Sequence, residues 1–224
     1  MTELYRPSCK LRCSPLAYLK WQFLAHAGPS EAAGLGLSAP HDPLYLQDIL
    51  VINQKATVST VAFEDEAIAD LFDKMADQNI PPHRFARIWL HSHPGGSARP
   101  SSLDEATFRR VFSGCDWAVM AIISRTANTY ARIQFSAGPG GSWEIPVVVD
   151  WQAWPGVTSL DSLLAQWRQE YEQHVKQVTF DFWEGLEEDP TEVLSDSVQP
   201  DLLSWGQLYA NSQSGFGQTQ SATT

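Results

Sequence analysis

The chain of 224 residues has few cysteines and no long apolar run. Cys9, Cys13 and Cys115 cannot all pair, which favours a reducing compartment. Cys9 and Cys13 are either plain thiols or half of a metal site that lacks two further ligands. No stretch reaches the ~18 consecutive apolar residues of a membrane span, and Lys20 and His26 interrupt the first apolar stretch, which makes a signal peptide a poor match. We therefore expect a cytoplasmic protein with no membrane partner.

Basic residues are also scarce, since 15 Lys and Arg stand against 26 Asp and Glu, for a formal net charge of -11. Binding to nucleic acid requires clustered Lys and Arg that neutralise phosphates, so we expect no nucleic-acid partner. An acidic protein accepts a basic peptide more readily. The shortage is most pronounced from Gln177 onward, where there is no Lys or Arg at all.

The chain does contain many short strand patterns and a few helical ones. Ser14-Pro15 predicts the start of a helix that ends before Gly28-Pro29. Further helices are predicted over 66–78 and from Ser101 or Ser102 to Phe112. Strands are predicted over 31–38, 44–53, 57–62, 85–93, 117–124, 130–136 and 142–149. Without a regular alternation of strand and helix, this order indicates one α/β domain with a mixed sheet over about 14–150.

The last third of the chain has a different character. An apolar stripe predicts a helix over 157–180, capped near Thr158 or Ser159, that packs on the domain or on a partner. Residues 181–224 form an acidic tail that we expect to be partly disordered. Apolar residues within it either dock back on the domain or bind another protein; they are Trp183, Leu202, Leu203, Trp205 and Tyr209.

The motif that suggests chemistry runs from His91 to Asp104. His91 and His93, two apart on a strand, point to the same face and can meet one metal ion. Asp104, at a predicted helix start, would complete a shell of two imidazoles and one carboxylate with a position open for water. Taken singly, the histidines are more typical of a surface or core pair than of a metal site, and Ser101 with Asp104 resembles a helix capping box.

The order and spacing of these residues, His-x-His, seven residues, Ser, two residues, Asp, resemble the JAMM motif of the JAB/MPN metalloprotease family. Pro94 also fits that motif. An upstream segment beginning at Glu31, Glu-Ala-Ala-Gly-Leu-Gly-Leu-Ser, resembles the family's glutamate strand, with Ser38 in place of the usual last glycine. The resemblance covers about 14–150 and implies an MPN fold: a mixed, cytidine-deaminase-like sheet flanked by helices.

The resemblance also implies roles for the site residues. His91, His93 and Asp104 would bind one Zn²⁺ per chain, together with a water molecule. Glu31 would act as general base and then as general acid. Ser101 would donate a hydrogen bond to the oxyanion, and in that case Ser102 would cap the helix.

Family members of this type hydrolyse the bond after the C-terminal diglycine of ubiquitin or a ubiquitin-like protein, either in deconjugation or in precursor processing. The implied partners are such a modifier and its conjugates, with E1-like or E2-like enzymes encoded nearby. Two alternatives are release of a small amine or amino acid from a ubiquitin-fold sulfur carrier, and a non-catalytic MPN scaffold. RadC-type proteins share the spacing but need a preceding helical domain, for which Glu31 leaves no room. The oligomeric state is open.

Overall fold

The computed structural model describes residues 9–156 and 159–178. Its helices are α1 (Pro15–His26), α2 (Asp65–Asp77), α3 (Ser102–Phe112) and α4 (Leu160–His174). Its strands are β1 (Leu11–Cys13), β2 (Ala33–Ala39), β3 (Asp42–Leu50), β4 (Gln54–Ala56), β5 (Val61–Phe63), β6 (Ile88–His93), β7 (Trp117–Ser124), β8 (Thr129–Phe135), β9 (Gly141–Glu144), β10 (Val147–Val149) and β11 (Val175–Gln177). Within these residues, none of the helices has the length and apolar character to cross a bilayer.

Eight strands form one mixed sheet in the order β10-β1-β3-β2-β6-β7-β8-β9. β6 runs parallel to β7 and antiparallel to β2, which places it well inside the sheet. β9 and β10 lie at opposite edges, yet only Ile145 and Pro146 separate them in the chain. The sheet must therefore curl until its edges approach. This mixed, curled sheet flanked by helices confirms the predicted fold class.

The main helix of the domain begins as the sequence predicts. The Ser14 side chain accepts a hydrogen bond from the Ala17 backbone N–H, and Pro15 occupies the first helical position. Trp21 is almost fully buried, and its indole N–H donates to the His91 backbone carbonyl at 3.2 Å. This contact fixes α1 directly against the strand that carries the histidines.

Several short elements differ from the predicted ones. β1, which precedes Ser14 and pairs parallel with both β3 and β10, was not predicted. The strand predicted over 142–149 divides into β9 and β10, because Pro146 has no N–H to donate to a ladder. The strand predicted over 44–53 is β3, which ends at Leu50, followed by β4. The strand predicted over 57–62 is a turn that leads into β5. The strand predicted from Phe85 begins only at Ile88.

The predicted C-terminal helix is shorter than 157–180. α4 ends at His174, and β11 follows it and pairs parallel with β4 in a small sheet of β11, β4 and β5. Lys20 ties α4 to the domain, since its buried ammonium donates to Glu170 and to the Ile49 carbonyl. α4 is therefore anchored near its C-terminal end. The acidic tail predicted over 181–224 lies outside the described residues.

Candidate metal centre

β6 delivers two histidines to one face at the end of the strand. His91 is completely buried and its ring stacks on Trp89, with centroids 4.3 Å apart. Trp89 in turn stacks on Phe108 of α3, so the histidine face of β6 is the face that α3 covers. His93 follows two residues later with a ring that is mostly buried. The alternation of a strand thus places both imidazoles on one side, as predicted.

Asp104 reaches the histidines from the first turn of α3. Its Oδ1 lies 3.2 Å from His91 Nε2, and its Oδ2 lies 3.4 Å from His93 Nε2. Ser101 is the N-cap of the helix: its Oγ accepts from the Asp104 N–H at 3.1 Å, and its own N–H donates to Asp104 Oδ2 at 2.6 Å. The Ser101 hydroxyl also donates to Oδ2, at 2.7 Å. The capping box therefore holds the carboxylate in place.

The three side chains fit a metal ion. One ligand atom from each of His91, His93 and Asp104 lies within 4.8 Å of the other two. In a tetrahedral zinc site with bonds of ~2.0–2.1 Å, neighbouring ligand atoms are about 3.4 Å apart, and each imidazole Nε2 lies at about this distance from one of the two Asp104 oxygens. His91 Nε2 and His93 Nε2 are buried and make no hydrogen bond of acceptable geometry in the described chain. Unpartnered nitrogens of this kind are what a cation would satisfy.

The tautomer of His93 is set by a backbone contact. Its Nδ1 lies 3.0 Å from the Ser97 carbonyl, and a carbonyl only accepts, so Nδ1 must carry the proton. In the neutral ring the Nε2 lone pair is then free to bind a metal. The β7–β8 turn holds this loop, because the Thr126 hydroxyl and the Asn128 amide each donate to the Gly96 carbonyl at 3.0 Å. The Arg125 N–H donates to the Gly95 carbonyl.

Glu31 stands at the edge of the same cluster. Ala33 pairs with His91 across β2 and β6, so Glu31 lies opposite His93, and its Oε1 is 3.8 Å from His93 Nε2. Ser92, between the two histidines, exchanges hydrogen bonds with Ala32: its N–H donates to the Ala32 carbonyl, and its Oγ accepts from the Ala32 N–H. The carboxyl of Glu31 is buried, and Oε2 has no hydrogen-bond partner among the described residues.

The environment pushes the pKa values of these groups apart. Burial raises the pKa of Glu31 to about 8, with nearby His93 acting against this and Asp104 reinforcing it. Burial lowers the pKa of His91. Burial opposes ionisation of Asp104 as well, but its close contacts with the His91 and His93 rings outweigh burial and hold the pKa of that carboxyl well below its usual range. Burial also disfavours a charged His93, yet Asp104 and Glu31 raise its pKa. Carboxyls with opposite shifts in one site are typical of acid–base chemistry.

The structure brings together all five residues singled out from the sequence, with one correction. The cap of α3 is Ser101, and Ser102 does not replace it. Within the described residues no metal-binding group includes Cys9 or Cys13, and both are free thiols.

Sequence reasoning missed the supporting residues Ser92, Ser97 and Asn128. It also missed Gln54, a buried side chain that exchanges hydrogen bonds with the Ala33 backbone beside Glu31. Ser92 is flanked by the two histidines, which is the signal that could have identified it.

The chain was compared with known proteins. A model of the family described as prokaryotic homologs of the JAB domain matches residues 20–136, which include all five site residues. No curated protein matches the chain. The matched stretch covers just over half of the sequence, from within α1 to the end of β8. The chain belongs to the prokaryotic JAB-domain family.

Proposed function

We propose that this protein is a zinc-dependent peptidase that hydrolyses the peptide or isopeptide bond after the C-terminal diglycine of a ubiquitin-like protein. The observation that carries the proposal is the arrangement of Glu31 beside the His91, His93 and Asp104 cluster. A structural carboxylate would be hydrogen-bonded or exposed, whereas the carboxyl of Glu31 is buried, unpartnered at Oε2 and directed at a group of metal-binding side chains.

His91, His93 and Asp104 would hold the ion. Zinc, when bound at such a site, polarises a carbonyl and lowers the pKa of a water molecule to about 7. Glu31 takes the proton from the attacking water and returns it to the amine leaving group. In the metal-free chain burial raises the pKa of Glu31 to about 8, and a bound dication beside it would lower that pKa, which favours the ionised form that accepts the proton from water.

Ser101 supplies the hydrogen bond to the oxyanion. In the described state its hydroxyl proton bonds Asp104 Oδ2, so this proton must turn toward the substrate during reaction. The Ser101 backbone N–H keeps its own bond to Oδ2 when the hydroxyl turns, and the carboxylate stays oriented. The helix cap and the oxyanion contact are thus compatible.

The substrate class follows from the family resemblance and from charge. A formal net charge of -11 attracts the basic C-terminal tails that are common among ubiquitin-like proteins. Deconjugation and precursor processing use the same chemistry and differ only in the leaving amine. Release of a small amine from a sulfur carrier would use this chemistry as well, with a small molecule as the leaving amine.

The test combines metal analysis with cleavage. Purified protein supplied with zinc is expected to bind one Zn²⁺ per chain and to cleave a ubiquitin-like protein fused through its diglycine to a reporter. Glu31→Gln is expected to retain zinc and to lose cleavage ~10²–10⁴-fold, the usual contribution of a general acid–base group. The matched control is Glu66→Gln on the exposed face of α2, which should leave both unchanged.

A chain that stays metal-free in excess zinc would refute the metal site. A Glu31→Gln variant that cleaves at the wild-type rate would refute the assigned acid–base role. Full zinc occupancy without cleavage of a diglycine fusion, but with release of a small amine from a carrier adduct, would transfer the activity to sulfur-carrier processing.

A further inference from the structure

An open apolar groove runs between α1 and α4, at some distance along α1 from the metal cluster. It has a volume of about 290 Å³, and its apolar lining comes mainly from Leu19, Phe23, Leu160, Leu164 and Trp167, with His26 at one end. The α1 residues are spaced at i, i+4 and i+7, and so are those of α4, so each helix contributes one continuous face. We call this feature the α1–α4 groove.

In this groove the apolar face of α4 is exposed, although an apolar helix face is usually buried against another element. Leu160 is 51% exposed and Leu164 is 44% exposed, although both lie on the face of α4 that looks toward α1. Phe23 and Trp167 meet at the floor, with centroids 6.0 Å apart. Covering these two leucines and the edge of the tryptophan is favourable, because it removes apolar surface from water. A contiguous apolar surface of this kind is typical of a binding site.

The chain leaves the described structure close to one end of this groove. Gln177 of β11 bonds the Tyr171 hydroxyl, and both side chains press against Gly28, so closely that a Cβ there would lie 2.1 Å from the Tyr171 oxygen. Gly28 stands two residues after His26, which lines the groove. Val178, the last described residue, is therefore within a few residues' length of the His26 end.

The sequence that follows Val178 is apolar and acidic. Residues 180–186 read Phe-Asp-Phe-Trp-Glu-Gly-Leu, with four large apolar side chains and two carboxylates. At ~3.3–3.6 Å per extended residue, the eight residues from Val178 to Leu186 span about 27 Å. The groove runs about 10 Å along α1, from Leu19 to His26 at ~1.5 Å per residue. The segment is therefore long enough to cross the gap to the His26 end and to follow the groove from there.

Charge favours the same occupant. The exposed side chain of Arg168 lies beside the groove, with its guanidinium carbon 6.0 Å from the centre of the Phe23 ring. Arg168 makes no ion pair with any other residue in 9–156 or 159–178. A segment with carboxylates at Asp181 and Glu184 and no Lys or Arg from there to the end of the chain complements it.

We propose that residues 180–186 of the same chain dock in the α1–α4 groove, with Trp183 as the principal apolar anchor and the acidic residues facing Arg168. The segment then acts as a strap that covers α4 on its open side. The proposal is independent of the metal site, since neither the groove nor the segment contains a residue of the cluster.

Hydrogen exchange of the full-length chain tests this strap. In Trp183→Asp, peptides covering 160–167 and 19–26 are expected to exchange roughly tenfold faster than in the wild type, because the cover of the groove is lost. Trp205→Asp is the matched control, since it makes the same change later in the same acidic segment. It should leave those peptides unchanged.

A reciprocal measurement uses chymotrypsin, which cuts after aromatic residues. Leu164→Ala in the groove is expected to expose the bonds near Trp183 to faster cleavage, and Leu103→Ala, the same change at a residue 40% exposed on α3, should not. Unchanged exchange in Trp183→Asp overturns the proposal. Faster exchange of these peptides in Trp205→Asp but not in Trp183→Asp also overturns it, because a later segment would then occupy the groove. Protection of the groove that disappears on dilution of the wild type overturns it in favour of a second copy of the chain.

Discussion

The molecule contains two clusters of buried ionisable groups that are built in opposite ways. Around Lys20, the buried ammonium finds the Ile49 carbonyl at 2.6 Å, Glu170 at 2.8 Å and Asp48 at 3.4 Å, one acceptor for each of its three protons. In the metal cluster, Oε2 of Glu31 and Nε2 of both His91 and His93 are buried without hydrogen bonds in the described chain.

Fully partnered polar atoms, as around Lys20, are typical of a structural cluster, whereas buried unpartnered atoms, as in the metal cluster, are typical of a functional one. An unsatisfied buried polar group costs about 1–3 kcal/mol, so a chain selected only for stability would pair or remove these atoms. The Lys20 cluster is complete and joins α4 to α1 and β3. In the metal cluster a cation would satisfy both Nε2 atoms and a water molecule the Glu31 carboxyl, and His91 Nδ1 is a further unpartnered atom within the described residues.

The largest effect is expected from Asp104→Asn. The asparagine oxygen can still accept from the Ser101 N–H and keep the cap of α3. The substitution, however, removes the negative charge of the ligand. Because loss of a residue that only orients a ligand costs ~10–100-fold, we expect zinc affinity to fall more than ~100-fold. Metal-free thermal stability should also fall near neutral pH, because the contacts that lower the pKa of Asp104 stabilise the folded chain while this carboxyl is ionised. Competition with a chelator measures the affinity, and Asp70→Asn, at an exposed position of α2, is the control. Wild-type affinity in Asp104→Asn would remove Asp104 from the ligand set.

Lys20→Met breaks the complete cluster. The methionine keeps the apolar stem but removes all three donors, so the Ile49 carbonyl and the Glu170 carboxylate lose the Lys20 bond, while Asp48 keeps the hydrogen bond from the Ile49 N–H. Removing one member of a fully buried pair costs ~3–5 kcal/mol. Asp48 is 52% exposed and regains water, so we expect a smaller loss of about 2 kcal/mol, read from the urea midpoint.

Lys55→Met, at an exposed position of β4, is the matched control for this loss and should be nearly neutral. Zinc binding should survive Lys20→Met, since no residue of the Lys20 cluster touches the metal cluster. A variant as stable as the wild type would show that the satisfied contacts of Lys20 contribute nothing.

The contrast also shows what sequence alone could predict. His91, His93 and Asp104 were predictable because strand alternation and a capping motif fix their relative positions locally. The contacts that orient them were not, because they join residues far apart in the chain. Asn128 meets Gly96 across 32 positions through a turn geometry that no local pattern encodes. The Lys20 cluster spans 150 positions, and an isolated lysine on a helix is normally exposed.

The same reasoning applies to the fold. Long strands such as β7, with eight largely buried residues, can be predicted from their composition. β1, β10 and β11 have three residues each, too few to show alternation, and all three are held by parallel pairing with distant strands. Elements of that length depend on tertiary contacts, so the predicted ends of the strands and of the C-terminal helix were the parts that needed correction.

Asn128→Ala tests how far the orientation of His93 depends on the β7–β8 turn. The variant removes one of two donors to the Gly96 carbonyl, and the Ser97 carbonyl that fixes the His93 tautomer lies one residue further on. We expect zinc affinity to fall about tenfold, the lower end for a supporting residue. Asn53→Ala is the matched control: it loses the contact to His174 of α4 and should lower stability without changing zinc affinity. Equal affinities in both variants would show that the Thr126 hydroxyl and the Arg125 N–H hold the loop without Asn128.

A separate effect concerns the stability of the metal-free protein. The pKa of Glu31 is raised from 4.5 to about 8 on folding, so between these values the folded state retains a proton that the unfolded state has lost. The contribution of Glu31 to the free energy of unfolding therefore falls as pH rises from 4.5 to about 8, and it is constant above that pH. Glu31→Gln does not titrate, and its Tm should exceed that of the wild type by on the order of ten degrees at pH 8 but by little at pH 4.5, because a rise in pKa of this size corresponds to several kcal/mol and 1 kcal/mol shifts Tm by ~2–4 °C at this size. A Tm difference independent of pH would mean that Glu31 is ionised throughout, and the incompleteness of the metal cluster would then reside in the histidines alone.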